Sequence, residues 1–377
     1  FLGDTEPFVV RVALEALLGA RPDALAELVE PLAATLGSKD RFVRQAAIRV
    51  LLRADEDTYQ AIAAAAAPTG WQAGVTLAAA YAERHSGIDP YSLEVALKVL
   101  VGNHPVELQR EAARLVQLAL GDCGPPADGS PRPAGFDAYA PTLDLSGQPE
   151  VARLLRSALP LVYPRSDSVL SRELARAIAM VQPPAEPVLD KLLAGITPES
   201  DPIDDLHLLF VSARLTGPRT EAQRERLAAA LLQMEPKLLA RNLPQDTHWN
   251  DRVLEMYDAL AEADPELPVA VLRHPSFGEP GHAQFLSALP SSYFREAVEK
   301  FSEIVLAAGA DFAWNDDLVY LLSQSRDEEV QRLVRAQVEH YGLRGAVLLA
   351  LAAQPLEADR GLRGRGLADS QAGVQAG

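Results

Sequence analysis

Leu2–Leu17, LGDTEPFVVRVALEAL, and Leu36–Leu51, LGSKDRFVRQAAIRVL, are one phrase written twice, 34 residues apart. Leu2/Leu36, Gly3/Gly37, Phe8/Phe42, Val9/Val43, Ala13/Ala47 and Leu17/Leu51 are identical, Glu6/Asp40 matches in charge and Leu14/Ile48 in shape. A further copy starts at Val101-Gly102-Asn103-His104 and continues through Leu108, Ala112, Ala113, Leu115 and Val116, and a weaker one runs from Ser325 to Gly342. Each copy predicts a turn followed by an amphipathic helix. In the second, Val43, Ala46, Ala47, Val50 and Leu51 share one face at helical spacing, while Arg44, Gln45 and Arg49 are expected to face away. Small residues at Ala46 and Ala47 let a neighbouring helix come close.

Between the first two copies, Leu25, Leu28, Val29 and Leu32 form a second stripe, which makes the unit a helix pair; Pro31 is expected to kink that second helix. A lone pair cannot bury its stripe, whereas stacked pairs share a continuous core. The expected fold is therefore all-α, an α-solenoid of stacked pairs over residues 1–353. Helical stripes continue at Leu93–Leu100, Glu150–Leu159, Val169–Val181, Val188–Ile196, Ile203–Leu215, Glu221–Leu239, Arg252–Ala263, Pro265–Leu272, Ser292–Ala308, Asp316–Ser323 and Gly345–Ala353, with no alternation of β-branched residues. Two segments break the rhythm. Gly121–Leu145 is a Pro/Gly-rich insertion too long for an ordinary turn, and Gln354–Gly377, without an apolar period after Leu356, is expected to be a flexible tail.

The pattern turn, acid, x, [FV]-V-R-x-x-A-[AIL]-x-x-L resembles the first helix of a HEAT repeat, over the first 52 residues most clearly and again near 101–120 and 323–342. That resemblance implies HEAT-like helix pairs and a non-catalytic scaffold or protein-interaction module, whose partner is another protein or a flanking domain of the same polypeptide. A looser resemblance, carried by Asp201-Pro202-Ile203-Asp204-Asp205-Leu206-His207, Ala213-Arg214-Leu215, Trp249, Asp264-Pro265 and His274-Pro275-Ser276-Phe277-Gly278, is to the middle of large bacterial multidomain proteins. There a HEAT array sits between a sugar-dehydrogenase-type propeller and a cytochrome c domain. It implies the alternative role of an array carrying flanking haem or dehydrogenase domains of a periplasmic redox protein, with the chemistry outside this chain, because C-x-x-C-H is absent. An opening of Phe1-Leu2-Gly3-Asp4 without Met fits an internal piece of a longer product or a chain freed of its signal peptide.

Charge narrows the partners. Fifty-two acids against 35 Lys+Arg give a net charge of −17, which repels a phosphate backbone and argues against nucleic acid, a helical-repeat DNA-repair enzyme included. A partner bearing basic patches is the electrostatic expectation. No apolar run approaches the ~18 residues of a membrane span. Cys123 is the single cysteine, so no disulfide or CxxC pair forms within the chain, and it is read as incidental. His274 and His282 in one loop lack the third and fourth converging donors that a metal needs, and they read as surface or loop-anchoring residues. Asp201, Asp204 and Asp205 before His207 could suggest acid–base chemistry but sit where a helix begins, which accounts for them. No phosphate-cradling or hydrolase motif occurs, so no catalytic residue and no cofactor is assigned.

One repetition remains. Trp249-Asn250-Asp251 recurs as Trp314-Asn315-Asp316, each ahead of an amphipathic helix. Structurally, Asn or Asp would cap the helix with Trp packed outside it. Functionally, Trp249 and Trp314 would be two equivalent aromatic contact points along a groove, since Trp is favoured at interaction hot spots.

Overall fold

The computed structural model describes residues 1–85, 87–121, 129, 132–309, 312–353 and 361–362. The fold is all-α: among the described residues there are nineteen α-helices and no strand, only a single parallel bridge between Pro184 and Thr216. The chain divides into two compact units, residues 1–195 with 207–217 and residues 196–206 with 218–377, a division the repeat pattern did not announce.

The first unit holds α1 (Pro7–Leu17), α2 (Pro22–Leu25), α3 (Val29–Leu36), α4 (Arg41–Leu51), α5 (Glu56–Ala66), α6 (Trp71–Arg84), α7 (Pro90–Val101), α8 (Val106–Ala119), α9 (Pro149–Val162), α10 (Ser168–Val181) and α11 (Ala185–Leu193). Helices α1, α4, α6, α8 and α10 pack side by side in that order, and α3, α5, α7 and α9 lie against them as a second layer. The three clearest copies of the sequence phrase thus become α1, α4 and α8, all in one layer. Ala46, Ala47, Ala112 and Ala113 are buried at these contacts, where a side chain no larger than a methyl permits close packing. The acid of the phrase caps the helix: Asp40 accepts from the amides of Phe42 and Val43 at 2.8 and 3.0 Å.

Two expectations need correction. The helix after Pro22 is broken rather than kinked, with a 3₁₀ turn at Ala26–Leu28 and a fresh start at Val29. Pro31 then falls in the first turn of α3, where its missing N–H costs nothing and no preceding turn meets its ring. Arg44 does not face away. It is buried, donates to the carbonyl of Ser38 at 2.6 Å and pairs with Glu111 of α8, which also accepts from Gln72 of α6 at 2.6 Å. A partner 67 residues distant cannot be read from local periodicity.

A recurrent device ties helices together. Cationic side chains donate to the carbonyls at the ends of neighbouring helices, the groups that a helix leaves unpaired. Arg84 reaches Leu51 and Ala54 at 3.0 and 2.9 Å, Arg165 reaches Leu100 at 2.5 Å, Arg156 reaches Val181 at 2.7 Å, and Lys191 reaches Pro160 and Tyr163 at 2.7 and 3.0 Å. Part of the inserted segment packs too. Phe136 is buried edge-on against Phe210, Tyr139 stacks on Phe210, and Arg176 donates to the carbonyl of Ala138 at 2.6 Å. Cys123 and most of the tail lie outside the described residues.

Helix α12 (Pro202–Ala213) holds the boundary between the units. The second unit continues with α13 (Glu221–Ala240), α14 (Trp249–Ala263), α15 (Leu267–Arg273), α16 (Phe294–Ala308), α17 (Asp316–Leu322), α18 (Glu328–Ala336) and α19 (Arg344–Ala353). Its hub is a 3₁₀ segment, Pro280–Leu286, packed against α14, α15 and α17. The buried hydroxyl of Tyr257 donates to the carbonyl of Phe285 at 2.6 Å and fixes that hub to α14. The device seen in the first unit recurs here, with Lys300 donating to the carbonyl of Leu272 at 2.7 Å.

Candidate functional site

Within the second unit, Trp249 and Trp314 line one cleft of about 290 Å³, together with Glu235, His282, Phe285 and Asp317. The two copies of Trp-Asn-Asp reach it differently. Asn315 caps α17, accepting from the amide of Leu318 at 2.9 Å, and its own amide donates to the carbonyl of Pro280 at 2.9 Å, so Trp314 stands just outside the helix as expected. Trp249, by contrast, is the first residue of α14, and neither Asn250 nor Asp251 caps that helix; Asp246 accepts from the amide of His248 at 2.7 Å instead. The cap expectation holds for one copy and fails for the other because α14 starts at the Trp itself.

The floor is made by His282. Its Nδ1 accepts from the amides of Gly278 and Glu279, both at 3.1 Å, so the ring proton sits on Nε2 and is donated to the carbonyl of Leu232 at 3.0 Å. Burial lowers its pKa below the ordinary 6.5 and keeps it neutral. His282 is a loop anchor with both nitrogens engaged. His274 likewise accepts from the amide of Ser276 at 3.1 Å. Among the described residues, no three His, Cys, Asp or Glu side chains come together in a way that could hold a metal ion.

The walls carry two carboxylates without a hydrogen-bond or ion-pair partner among the described residues, Glu235 of α13 and Asp317 of α17. Burial raises the pKa of Glu235, and the charge of Glu279 raises it further; partial enclosure raises Asp317, with Asp316 adding to it. Gly281 makes the first of these possible, because a methyl group there would overlap the Glu235 carboxylate. Asp317 directly follows the repeated Trp314-Asn315-Asp316 but is not part of the repeat, and Glu235 lies in a stretch with no motif, so repetition pointed to the tryptophans and not to these two carboxylates.

In the cluster before His207, Asp201 and Asp205 take separate partners. Asp201 accepts from the amide of Ile203 at 2.8 Å, as an acid at a helix start should. Asp205 is instead a buried ion-pair partner of Lys237, with the hydroxyl of Ser200 donating to it at 2.6 Å. Lys237 also donates to that hydroxyl at 3.0 Å and to the carbonyl of Thr197. His207 Nδ1 bonds the hydroxyl of Tyr139 at 2.9 Å.

The chain matches no family model and no curated protein. Among solved structures it is similar to an engineered protein from the Northeast Structural Genomics Consortium, at 18% identity over all of this chain and 94% of the other, with a TM-score of 0.42. Among the described residues, no helix is long and apolar enough to cross a membrane.

Proposed function

We propose that the chain is a non-catalytic scaffold of HEAT-like helix pairs whose second unit receives an arginine or lysine side chain of a protein partner between Trp249 and Trp314. The supporting observation is the lining of that cleft, two tryptophans with two unpaired carboxylates, Glu235 and Asp317. Such a surface is complementary to a cation: each indole face attracts it by roughly 0.5–2 kcal/mol, and a carboxylate supplies the charge-assisted hydrogen bond. At about 290 Å³ the cleft is at the bottom of the ~300–1,000 Å³ range of small-molecule sites, which suits one inserted side chain better than a whole ligand. The HEAT-like reading is supported by the repeated phrase forming α1, α4 and α8 of a single layer. The acid excess of the whole chain would steer a basic partner toward it.

The test is calorimetric titration of the full chain with a short acetylated arginine-containing peptide and with its citrulline counterpart, which keeps shape and loses charge. The arginine peptide binds, the citrulline peptide binds at least tenfold more weakly, and Trp249→Ala, Trp314→Ala and Glu235→Gln each remove most of the affinity. Equal binding of both peptides, or binding that Glu235→Gln leaves unchanged, refutes the proposal.

A further inference from the structure

In the first unit, Arg132, residues 140–146 and the ends of α9, α10 and α12 line a second pocket of about 660 Å³, independent of the tryptophan cleft. Three arginines line it, Arg132, Arg156 and Arg214, against one acid, Asp144. Such a concentration of positive charge runs against a chain whose net charge is −17.

Their partners differ. Arg132 is engaged with Asp137 at 3.4 Å and with the carbonyls of Ala140 and Pro141 at 3.3 and 3.4 Å. Arg156 uses its Nε on the carbonyl of Val181 at 2.7 Å and has no carboxylate partner among the described residues. Arg214 has neither a carboxylate nor a hydrogen-bond acceptor there, and its Nε is buried without a partner. Its one favourable neighbour is the ring of Phe136, 6.0 Å away. Burial and the nearby Arg132 charge both act against the charged form of Arg214. Asp144 has one oxygen occupied by the amide of Ser146 at 2.8 Å and the other by its hydroxyl at 2.5 Å.

A buried guanidinium nitrogen with no acceptor costs roughly 1–3 kcal/mol for the missing bond, and such groups ask for an explanation. Two guanidiniums without carboxylates present donor forks that fit a tetrahedral oxyanion. A carboxylate would balance one of them, whereas a phosphate monoester, at a charge of about −1.5 to −2, balances both. The remaining wall is apolar, formed by Leu143, Leu145, Pro149, Ala152 and Met180, and the volume is that of a small-molecule site. We infer that this pocket binds the phosphate ester of a small molecule with an apolar body, its phosphate held by Arg156 and Arg214. A nucleic-acid backbone, which must approach across the acidic surface, is disfavoured where a small monoester is admitted.

The experiment is calorimetric and thermal-shift titration of the full chain with phenyl phosphate, with inorganic phosphate, and with sodium chloride at matched ionic strength. Phenyl phosphate binds and raises the melting temperature beyond the salt control, more tightly than inorganic phosphate. Arg214→Gln lowers its affinity at least tenfold without lowering the melting temperature of the unliganded protein, as expected of a charge with no hydrogen-bond acceptor. Asp144→Asn, which removes the one opposing charge, tightens binding about threefold or more, a gain that misfolding cannot mimic. A response matched by sodium chloride, equal affinity for inorganic phosphate, or phenyl phosphate binding unaffected by both substitutions overturns the inference.

Discussion

Replacing Arg84 by methionine tests whether helix ends tied by cations hold the first unit together. Arg84 is the last residue of α6, its side chain is 17% exposed, and one terminal nitrogen serves both the Leu51 and the Ala54 carbonyls at 3.0 and 2.9 Å. Methionine keeps the packed stem and removes the donors, leaving the Leu51 carbonyl with only the amide of Ala54, at 3.2 Å, and the Ala54 carbonyl without this donor, in a place with little access for water. Hydrogen bonds to charged groups contribute roughly 1.5–3 kcal/mol, and the two here share one nitrogen, so their joint loss is about 2–3 kcal/mol. The guanidinium also lies over the Tyr59 ring at 4.6 Å, and losing that adds roughly 0.5–1 kcal/mol. Pairing with the exposed Glu56 adds little. Arg84→Met is therefore expected to destabilise the first unit by about 3 kcal/mol, and Arg84→Lys by about half of that, since an ammonium keeps charge and can still reach a carbonyl. Trp71, at the other end of α6, reports this unit alone once Trp249 and Trp314 are replaced by phenylalanine. Urea unfolding followed by its fluorescence, with the exposed Arg49→Ala as a control near zero, gives the difference directly. A loss below about 0.5 kcal/mol for Arg84→Met would show that the carbonyls find water and that the tie is incidental.

Two further outcomes concern the second unit. The buried Asp205–Lys237 pair predicts that Asp205→Asn or Lys237→Met alone costs about 3–5 kcal/mol by stranding the other partner, while Asp205→Leu with Lys237→Met together recovers most of it; urea unfolding of the three variants decides, and an additive double variant contradicts the pairing. In the tryptophan cleft, the raised pKa of Glu235 means the folded state holds that proton more tightly than the unfolded chain does. Arginine-peptide affinity is then full above the raised pKa and lost as pH falls through it, with a midpoint above the ordinary 4.5, and without peptide the strain from Glu235 eases over the same fall. Glu235→Gln removes both effects; a midpoint at or below 4.5 measured by titration calorimetry rules the carboxylate out as the binding group.

The helices were legible because their signals are local. An apolar stripe, an acid at the cap and a glycine or proline at the turn all lie within a few residues, and helices such as Ser168–Val181 and Glu221–Ala240 fall where periodicity placed them. Glu56–Ala66 and Trp71–Arg84 gave no stripe to find, since alanine fills the positions where leucine would have marked a face. The break before α3 followed from Pro31, but its form depended on where the helix could restart. What the sequence hid is long-range. Arg44 meets Glu111, Trp249 meets the loop of Gly281 and His282, and Arg132 and Arg156 meet Arg214, each across a stretch of chain that no spacing rule spans. Half of the candidate site was visible through repetition of Trp-Asn-Asp; Asp317 stood one residue beyond that repeat, and Glu235 lay far from it.

The ties at Arg84, Arg165, Arg156, Lys191 and Lys300 share a property beyond their strength. Each acceptor is a peptide carbonyl, which every amino acid supplies. Substitution at Leu51, Leu100, Val181, Pro160 or Leu272 can change the side chain without touching the bond, so half of every tie places no demand on residue identity. A stack joined this way tolerates drift on the accepting helix and needs only a long cation to arrive from somewhere on its neighbour. That tolerance offers a physical reason for the phrase that opens the chain to fade toward the middle while the helices it encodes go on packing.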